Sequence, residues 1–521
     1  MKHNFALPSA WRIGLLATTC TLFLCAIGFL QAGRINGTLC YALDDSFIMM
    51  AISKHLAFNG VWGLTPYNFS STASSPLFTV LLSAFIWLFG DHLWLPLAMN
   101  LLAFSGLMIW LAHKAYQWRL KSWQVWFMLM GLVFFAPIPV LIFGSMEHIL
   151  HIWIALWSLD ALAEKTETTK PWQWLVIGAL LAGIRFEGLF EGGLMVLYLW
   201  HRKNWIKGLS LGFGMMIPVC TLGFVSLSQG WYFLPNSLIL KGYTMNVQDT
   251  ESFLGFLASW LSKAAMNPHA IVAMLVLYLC MQEEKKKNTP DYLWLGISLL
   301  SGVLHFVFAR YNHVYRYEAY LMAMSWVAFW RWLSHQPYWQ NLQNYSLYFR
   351  QNSTQALLFI LLILSPIYRS AESYAIGTRA MVNIYQQQVQ MARFVHQFYN
   401  TAAVGALDVG AIAYYTDCRL IDLWGLGDIE IARLKLARRY NSYAITQSVK
   451  KRNMAIAIAY GRVTKHPEWN KVANWIIPHN VVCARDTIHF YGLGDAAARQ
   501  LKQNLVEFQP NLPEGVGVLY D

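Results

Sequence analysis

The chain has 521 residues, of which 56% are hydrophobic and only 13% are charged, whereas soluble domains carry about 25% charged residues. This composition excludes a soluble globular protein and indicates an α-helical polytopic membrane protein. The formal net charge is +12, but the Lys and Arg residues are scattered through short loops and form no stripe. They therefore argue against nucleic acid as a partner and predict contacts with anionic membrane lipids.

Apolar runs that could cross a membrane follow one another along the first 370 residues. Several are shorter than the ~20 residues of a full crossing, and their number has the wrong parity for an inside N-terminus and an outside C-terminus, so we predict 11–13 spans. Basic loops between the runs are typical of the cytoplasmic side, which leaves 32–75, 144–148, 228–250, 310–317 and everything after 371 outside. The runs are 12–31, 76–90, 93–112, 124–143, 149–163, 172–185, 188–200, 208–227, 268–281, 291–309, 317–333 and 355–369.

The first outer loop, 32–75, contains two adjacent carboxylates, Asp44 and Asp45, directly after the first apolar run. They open a predicted helix that Gly60 can end. A charge near hydrocarbon costs roughly 2.5–3.5 kcal/mol, so acids in this setting usually mark function. The alternative is that Asp44 caps its own helix while Asp45 gains from the helix dipole.

Two further polar clusters fall at predicted outer helix ends. Glu147 and His148 begin a helix, where Glu147 is either a cap or a carboxylate facing the same outer cavity as Asp44. Arg185 and Glu187 interrupt a long apolar stretch. Residues two apart cannot share a helix face, so this pair predicts a tight outer hairpin or two separate partners.

Cations also occur at outer boundaries, where the positive-inside rule predicts few. An aromatic run from Gly230 precedes Asn236 and Lys241, and is either an interfacial anchor with a snorkelling Lys or part of a site. Arg310 and Arg316 lie next to Glu318 at another outer boundary. We expect Arg185, Lys241, Arg310 and Arg316 to bind an anion such as a lipid phosphate rather than to serve the fold.

The composition changes beyond Arg369 and predicts two domains, 1–370 in the membrane and 371–521 outside it. The segment 371–400 is a polar, Gln-rich predicted helix, and short apolar runs then alternate with helical stretches in an α/β pattern. If this domain faces an oxidising compartment, Cys418 and Cys483 can pair, and otherwise they stay free. The four apolar runs are Ala402–Leu407, Arg419–Leu423, Met454–Ala459 and Val481–Ala484.

Acids and bases around one membrane-level cavity suit group transfer from a lipid phosphate. A carboxylate would accept the proton of an attacking hydroxyl, and cations or a divalent metal such as Mg, Mn or Ca would neutralise the departing phosphate. Two other classes remain open. A lipid-linked glycan transporter or flippase would need charges through the membrane depth, and a scaffold for an outer partner would tolerate the loss of both Asp residues.

Several motifs together resemble the GT-C membrane glycosyltransferases, in the branch that includes the mycobacterial terminal arabinofuranosyltransferases. Leu43-Asp-Asp-Ser-Phe-Ile, Lys54-His-Leu-Ala-Phe-Asn-Gly60 and Ser74-Ser-Pro-Leu-Phe78 resemble the first-outer-loop signature. Later motifs of that branch are similar to Ser145-Met-Glu147, Arg185-Phe-Glu-Gly188 and Leu234-Pro-Asn-Ser237 with Lys241. Asp408-Val-Gly-Ala-Ile-Ala-Tyr414 and Ile421-Asp-Leu-Trp-Gly-Leu426 are similar to its C-terminal extracytoplasmic domain.

The resemblance implies a GT-C fold with a small C-terminal α/β domain, an inverting transfer and a polyprenyl-phosphate sugar donor. It also implies a bacterial inner-membrane enzyme whose active site faces the periplasm, acting on a cell-envelope glycan, lipid or protein. Ser46-Phe47 replaces the usual Ala-Tyr, and Phe186 stands where the branch often has Pro, so the sugar can be arabinofuranose, another pentose or a hexose. The implied general base is Asp44 with Asp45, and the implied donor-binding residues are Lys54, His55, Glu147, His148, Arg185, Glu187, Asn236, Lys241, Arg310, Arg316 and Glu318.

Overall fold

The computed structural model describes residues 7–243, 261–284, 289–309, 311, 314–336, 353–461 and 467–521. Helices dominate the first 400 residues. Each predicted apolar run falls on one described helix, except 124–143, which falls on two. These helices are α1 (Leu7–Asn36), α2 (Asp44–Asn59), α3 (Pro76–Phe89), α4 (Leu95–Gln117), α5 (Ser122–Phe135), α6 (Ile138–Gly144), α7 (His148–Glu164), α8 (Pro171–Ile184), α9 (Gly188–His201), α10 (Trp205–Ser228), α11 (Asn236–Tyr243), α12 (Pro268–Glu283), α13 (Pro290–Phe308), α14 (Ala319–Ser334) and α15 (Ser353–Ile384).

Four described helices are long and apolar enough to cross a membrane by themselves, namely α1 from Ala10, α4, α10 and α13. A fifth crossing forms if α5 and α6 count as one span, since they are bent by 51° at a short break that contains Pro137. Shorter apolar helices such as α3, α8 and α12 add to the bundle. The total of 11–13 spans therefore stays a prediction.

Helix α2, which begins in the first outer loop, is largely buried. Its residues from Ser46 to Ser53 are buried, and the Ser46 hydroxyl donates a 2.5 Å hydrogen bond to the carbonyl of Gly144. Gly60 ends the helix with a φ of 66°, as predicted. Neither Asp44 nor Asp45 caps this helix, because its N-terminus has no side-chain cap. The interpretation of Asp44 as the cap of its own helix is therefore wrong.

The C-terminal part forms a six-stranded sheet in the order β2-β1-β3-β5-β4-β6, which confirms the predicted small α/β unit. The first three strands pair in parallel and the others antiparallel. Helix α15 continues through position 370 into a π-helix, Tyr385–Val389, so the domain boundary at 370 stays a prediction. The remaining elements are α16 (Gln390–Tyr399), β1 (Ala403–Ala406), α17 (Gly410–Tyr415), β2 (Arg419–Asp422), α18 (Ile429–Leu436), α19 (Ser442–Lys451), β3 (Met454–Ala459), β4 (Trp469–Ile476), β5 (Thr487–Leu493), α20 (Asp495–Phe508) and β6 (Gly517–Tyr520).

One of the four apolar runs predicted as part of the α/β pattern is not a strand. Val481–Ala484 forms the connection between β4 and β5. The side-chain oxygen of Asn480 accepts hydrogen bonds from the backbone N–H groups of Val482 and Cys483. Such a local Asn turn competes with strand pairing, and the strand begins only at Thr487.

Of the two alternatives that the sequence left open for Cys418 and Cys483, the structure has the second, because both thiols are free. Cys418 directly precedes β2 at the edge of the sheet, whereas Cys483 follows β4, and three strands lie between β2 and β4. The two thiols have separate neighbours. The Thr416 hydroxyl lies 3.2 Å from the sulfur of Cys418, and the Cys483 thiol donates to the side-chain oxygen of Gln388 over 3.4 Å.

We expect peptide mapping of protein purified without reductant to find no peptide linked through Cys418 and Cys483. Both cysteines should be alkylated once the protein is denatured. In the native protein Cys418 should react slowly, because burial raises the pKa of its thiol to about 11 and keeps it protonated. A linked peptide that disappears on reduction would contradict this arrangement.

Candidate active site

The first outer loop and the C-terminal sheet unit enclose a cavity of about 590 Å³. The N-terminus of α2 forms one wall, and the segments after β1, β2 and β3 form the others. We call this space the acidic cavity, because three carboxylates reach it. Its polar and aromatic walls include Asp44, Asp45, Asp408, Trp424, Tyr440 and Tyr460.

Asp44 caps a helix, but one that belongs to the C-terminal unit. Its carboxylate accepts hydrogen bonds from the backbone N–H groups of Gly410 at 2.7 Å and Ala411 at 2.9 Å, at the start of α17. Position 410 requires glycine, because a Cβ there would collide with the backbone oxygen of Asp44. Removal from water, followed by the nearby charge of Asp408, raises the pKa of Asp44 to about 7.

Asp45 points to a different partner. Its carboxylate forms a 2.5 Å ion pair with Arg316, and the Arg316 guanidinium lies 4.9 Å from the ring centre of Tyr317. The guanidinium of Arg185 lies 5.3 Å from the same ring centre. Tyr317 therefore joins two buried arginines by cation–π contacts, and Asp45 connects them to the acidic cavity.

Arg185 also holds the carboxylates of two helix starts. It pairs with Glu147 before α7 and donates to both carboxylate oxygens of Glu187 before α9, at 2.7 and 3.1 Å. The hairpin interpretation of the 185–187 turn is thus correct. Glu147 lies at the N-cap position of α7, but its side chain makes no capping hydrogen bond. His148 is buried with its ring 6.3 Å from that of Tyr317. We call this set the arginine cluster: Asp45, Glu147, His148, Arg185, Glu187, Arg316 and Tyr317.

Other residues predicted for donor binding make contacts elsewhere. Glu318 pairs with Arg369 at 2.7 Å, which ties the start of α14 to α15. The Lys54 ammonium donates to the carbonyl of Tyr414 at 3.0 Å and lies 3.4 Å from Asp91. A ring nitrogen of His55 lies 2.9 Å from the carbonyl of Gly63.

Asn236 is hydrogen-bonded both to the first outer loop and to the segment after β2. Its backbone N–H donates to Ser71, and its side-chain amide donates to the carbonyl of Gly425. Lys241 belongs to α11, but its side chain lies outside the described residues, as does Arg310. Among the residues that the structure describes, no three His, Cys, Asp or Glu side chains are grouped so as to hold a metal ion.

Sequence reasoning missed Asp408 as a site residue. Its two carboxylate oxygens accept hydrogen bonds from Gln388 and Tyr460, each at 3.2 Å, and burial raises its pKa. Gln388 lies in the π-helix, a feature that is frequent at functional sites. A signal was present, because Asp408 follows β1 of the parallel strands, whose carboxyl ends commonly form binding sites.

Comparison with solved structures defines the architecture. The crystal structure of ArnT from Cupriavidus metallidurans, bound to undecaprenyl phosphate, matches this chain with a TM-score of 0.50 and 13% sequence identity, covering 93% of this chain and 98% of that one. The chain has the GT-C fold. The predicted GT-C polytopic membrane protein with a small C-terminal sheet unit is therefore confirmed, although the arabinofuranosyltransferase branch is not.

Other comparisons are weaker. The Archaeoglobus fulgidus oligosaccharyltransferase in complex with Zn and sulfate has a TM-score of 0.43 and 10% identity, covering 95% of this chain and 75% of that one. Residues 382–491 match a family described as a domain of unknown function, DUF8728. That match contains Asp408, Trp424, Tyr440 and Tyr460 of the acidic cavity. No curated protein matches the chain.

Proposed function

We propose that this protein is a membrane glycosyltransferase that moves a sugar from a polyprenyl-phosphate donor to a cell-envelope acceptor. The observation that carries the proposal is the contact between Asp45 and Arg316, which connects a cavity lined by carboxylates to a pair of buried arginines. Carboxylates suit deprotonation of an acceptor hydroxyl, and arginines suit binding of a phosphate. The GT-C fold shared with a protein bound to undecaprenyl phosphate supports this assignment.

In the proposed reaction, an acceptor hydroxyl attacks the anomeric carbon of the donor sugar. Its proton passes to Asp44 as the new C–O bond forms. The bond between the anomeric carbon and the phosphate oxygen breaks, and its electron pair leaves with the polyprenyl phosphate. Arg316 stabilises the negative charge that grows on the phosphate. Asp45 holds Arg316 in position, and Arg185 lies on the same Tyr317 ring. Attack from the side opposite the phosphate inverts the anomeric centre.

Asp44 is suited to the role of base. Each of its oxygens accepts one backbone N–H, so its orientation is fixed while a further lone pair remains on each oxygen. With a pKa of about 7, the carboxylate is a stronger base than an ordinary Asp. We further propose that the active site faces the periplasm of a bacterial inner membrane, and that the sugar is a pentose such as arabinofuranose or a hexose.

The direct test is turnover of a defined donor by the protein in lipid nanodiscs. Polyprenyl-phosphate arabinofuranose and polyprenyl-phosphate glucose would be offered separately, each with a cell-envelope extract as the source of the acceptor, and release of polyprenyl phosphate would be measured by mass spectrometry. We expect one of them to be consumed, and the variant that carries both Asp44→Asn and Asp45→Asn to consume neither. Equal consumption by the wild type and this double variant would overturn the proposal. Mass spectrometry of surface glycans with and without the gene would then identify the acceptor.

The rate of transfer should fall as the pH drops below about 7. Asp44 accepts a proton only as the carboxylate, and its pKa of about 7 makes the deprotonated fraction fall about tenfold for each unit of pH further below that value. The rate should therefore be about a hundredfold lower at pH 5 than on the plateau above pH 8. A rate that stays level from pH 8 to pH 5 would exclude Asp44 as the base.

A further inference from the structure

A second cavity lies outside the acidic cavity, between the first outer loop and the edge of the sheet. Its volume is about 670 Å³, within the range of small-ligand sites. One wall consists of the aromatic side chains of Tyr67, Phe69 and Trp231, and the other of charged side chains from β2, the start of α18 and the end of α19. We call it the outer groove, and its charged wall contains Arg419, Asp428, Glu430 and Arg452.

The outer groove and the acidic cavity share one wall, the segment 422–428. Trp424 and Leu426 face the acidic cavity, while Gly427 and Asp428 face the groove. The Asp422 carboxylate keeps this wall rigid by accepting hydrogen bonds from the backbone N–H groups of residues 424, 425 and 427 at 2.7 to 3.0 Å. The groove therefore lies on the opposite side of this wall from the carboxylates of the proposed active site.

The aromatic wall is held in place before any ligand arrives. The rings of Phe69 and Trp231 pack edge to face with centres 5.9 Å apart. The Tyr67 hydroxyl donates to the carbonyl of Asp417 at 2.8 Å, and yet this residue is 54% exposed. Fixed aromatic faces can stack on the C–H face of a sugar ring with little loss of side-chain entropy.

The charged wall favours a neutral ligand with many hydroxyl groups. Its two arginines face three carboxylates, those of Asp422, Asp428 and Glu430, and Arg452 pairs with Asp428. A lipid phosphate or an acidic polymer would meet Asp428 and Glu430 in this wall as well as the arginines. Carboxylates and guanidinium groups together can instead accept from and donate to sugar hydroxyls.

We propose that the outer groove binds a neutral oligosaccharide, which is the acceptor of the transfer reaction. This inference rests on the proposed glycosyltransferase function and adds the chemical class of its acceptor. Tyr67 and Trp231 would be the stacking platforms, and the terminal sugar would extend past the wall 422–428 to reach Asp44.

The test uses full-length protein in nanodiscs and saturation-transfer NMR with short linear arabinan, mannan and glucan oligosaccharides. We expect saturable binding of at least one of them, weakened on the order of tenfold in Tyr67→Ala and in Trp231→Ala, as for the loss of an aromatic anchor. Tyr67 is exposed, so its truncation leaves the core intact. Tyr443→Ala is the matched control. Tyr443 lies in α19 of the C-terminal unit and is 64% exposed, but it does not line the groove.

Donor consumption separates this inference from the proposed function. If the wild type consumes the polyprenyl-phosphate donor but binds none of the oligosaccharides, the groove assignment is overturned and the enzyme assignment stands. If an oligosaccharide binds and neither variant weakens it, the sugar site lies elsewhere and the groove assignment is again overturned. Binding of an extended peptide along the edge of β2 in place of any sugar would likewise overturn it.

Discussion

Replacing Asp44 by Asn is expected to lower the rate of sugar transfer on the order of 10²-fold or more. The variant retains the shape of the side chain but loses the group that accepts the proton, and general bases typically contribute 10²–10⁴-fold to enzyme rates. The measurement is release of polyprenyl phosphate from the consumed donor at pH 8, where wild-type Asp44 is mostly ionised. Asp45→Asn should be impaired less, because an amide oxygen can still accept a hydrogen bond from Arg316.

The contacts of Asp44 make a control necessary, since the same carboxylate also caps α17. An Asn amide can accept from only one of the two N–H groups and presents its own N–H₂ to the other. An unsatisfied N–H costs about 1–3 kcal/mol, so Asp44→Asn should also lower the melting temperature.

Thr289→Ala is the matched control for this loss. It removes the side-chain oxygen that accepts the backbone N–H of Tyr292 at the start of α13, and the loss of a helix cap costs about 0.5–2 kcal/mol. Helix α13 contributes no residue to the acidic cavity, so if Asp44 is the base, this variant should lose a comparable amount of thermal stability while keeping its transfer rate. Comparable losses of rate in the two variants would show that Asp44 acts only as a structural cap.

The apolar runs in the sequence predicted the helices of the membrane part, because a helix that contacts lipid or the protein core must present apolar side chains there. A run of apolar residues between polar loops suffices to mark α4 or α10, and Gly60 ends α2 for a local steric reason. The strands were predicted for three of the four runs in the same way. The exception, Val481–Ala484, fails because the turn of Asn480 depends on one side chain and not on hydrophobicity.

The site was predicted less completely because its contacts join residues that are distant in the chain. The sequence singles out Asp44 as costly, but it gives no sign that the start of α17, more than 360 residues later, would bind it. The spacing of Arg185 and Glu187 left open a hairpin or two separate partners, and their common link to Glu147 required the fold. The family resemblance implied Lys54 and His55 as donor-binding residues, yet their side chains contact backbone carbonyls elsewhere.

The structure also divides the outer cations that the sequence treated as one group. Arg185 makes hydrogen bonds to two glutamates and is 3% exposed. Its replacement by Lys loses this planar geometry and should lower stability by about 1–3 kcal/mol. Arg316 pairs with the carboxylate of Asp45, whose side chain is 33% exposed. A lysine at 316 can keep that ion pair, so Arg316→Lys should affect the donor more than the fold.

We therefore expect Arg316→Lys to lower turnover on the order of 10²-fold, which is typical for the loss of one charge-stabilising donor. Binding of the phosphate is measured separately from turnover, as the thermal shift caused by undecaprenyl phosphate. A ligand that binds only the folded protein raises the melting temperature of that protein. The wild type should be stabilised by this lipid and Arg316→Lys much less, because Lys offers the phosphate a point charge in place of a planar fork.

Arg331→Lys is the matched control for this experiment. Arg331 is buried like Arg316, at 3% against 6% exposed, and also pairs with carboxylates, those of Glu164 and Asp291. It lies in the last turn of α14, whereas Arg316 precedes the first. The helix from Ala319 to Arg331 separates the two sites by about 18 Å along its axis. Arg331→Lys should thus lower the melting temperature without reducing the shift caused by the lipid. Equal lipid-dependent shifts in the wild type, Arg316→Lys and Arg331→Lys would show that Arg316 does not bind the donor phosphate.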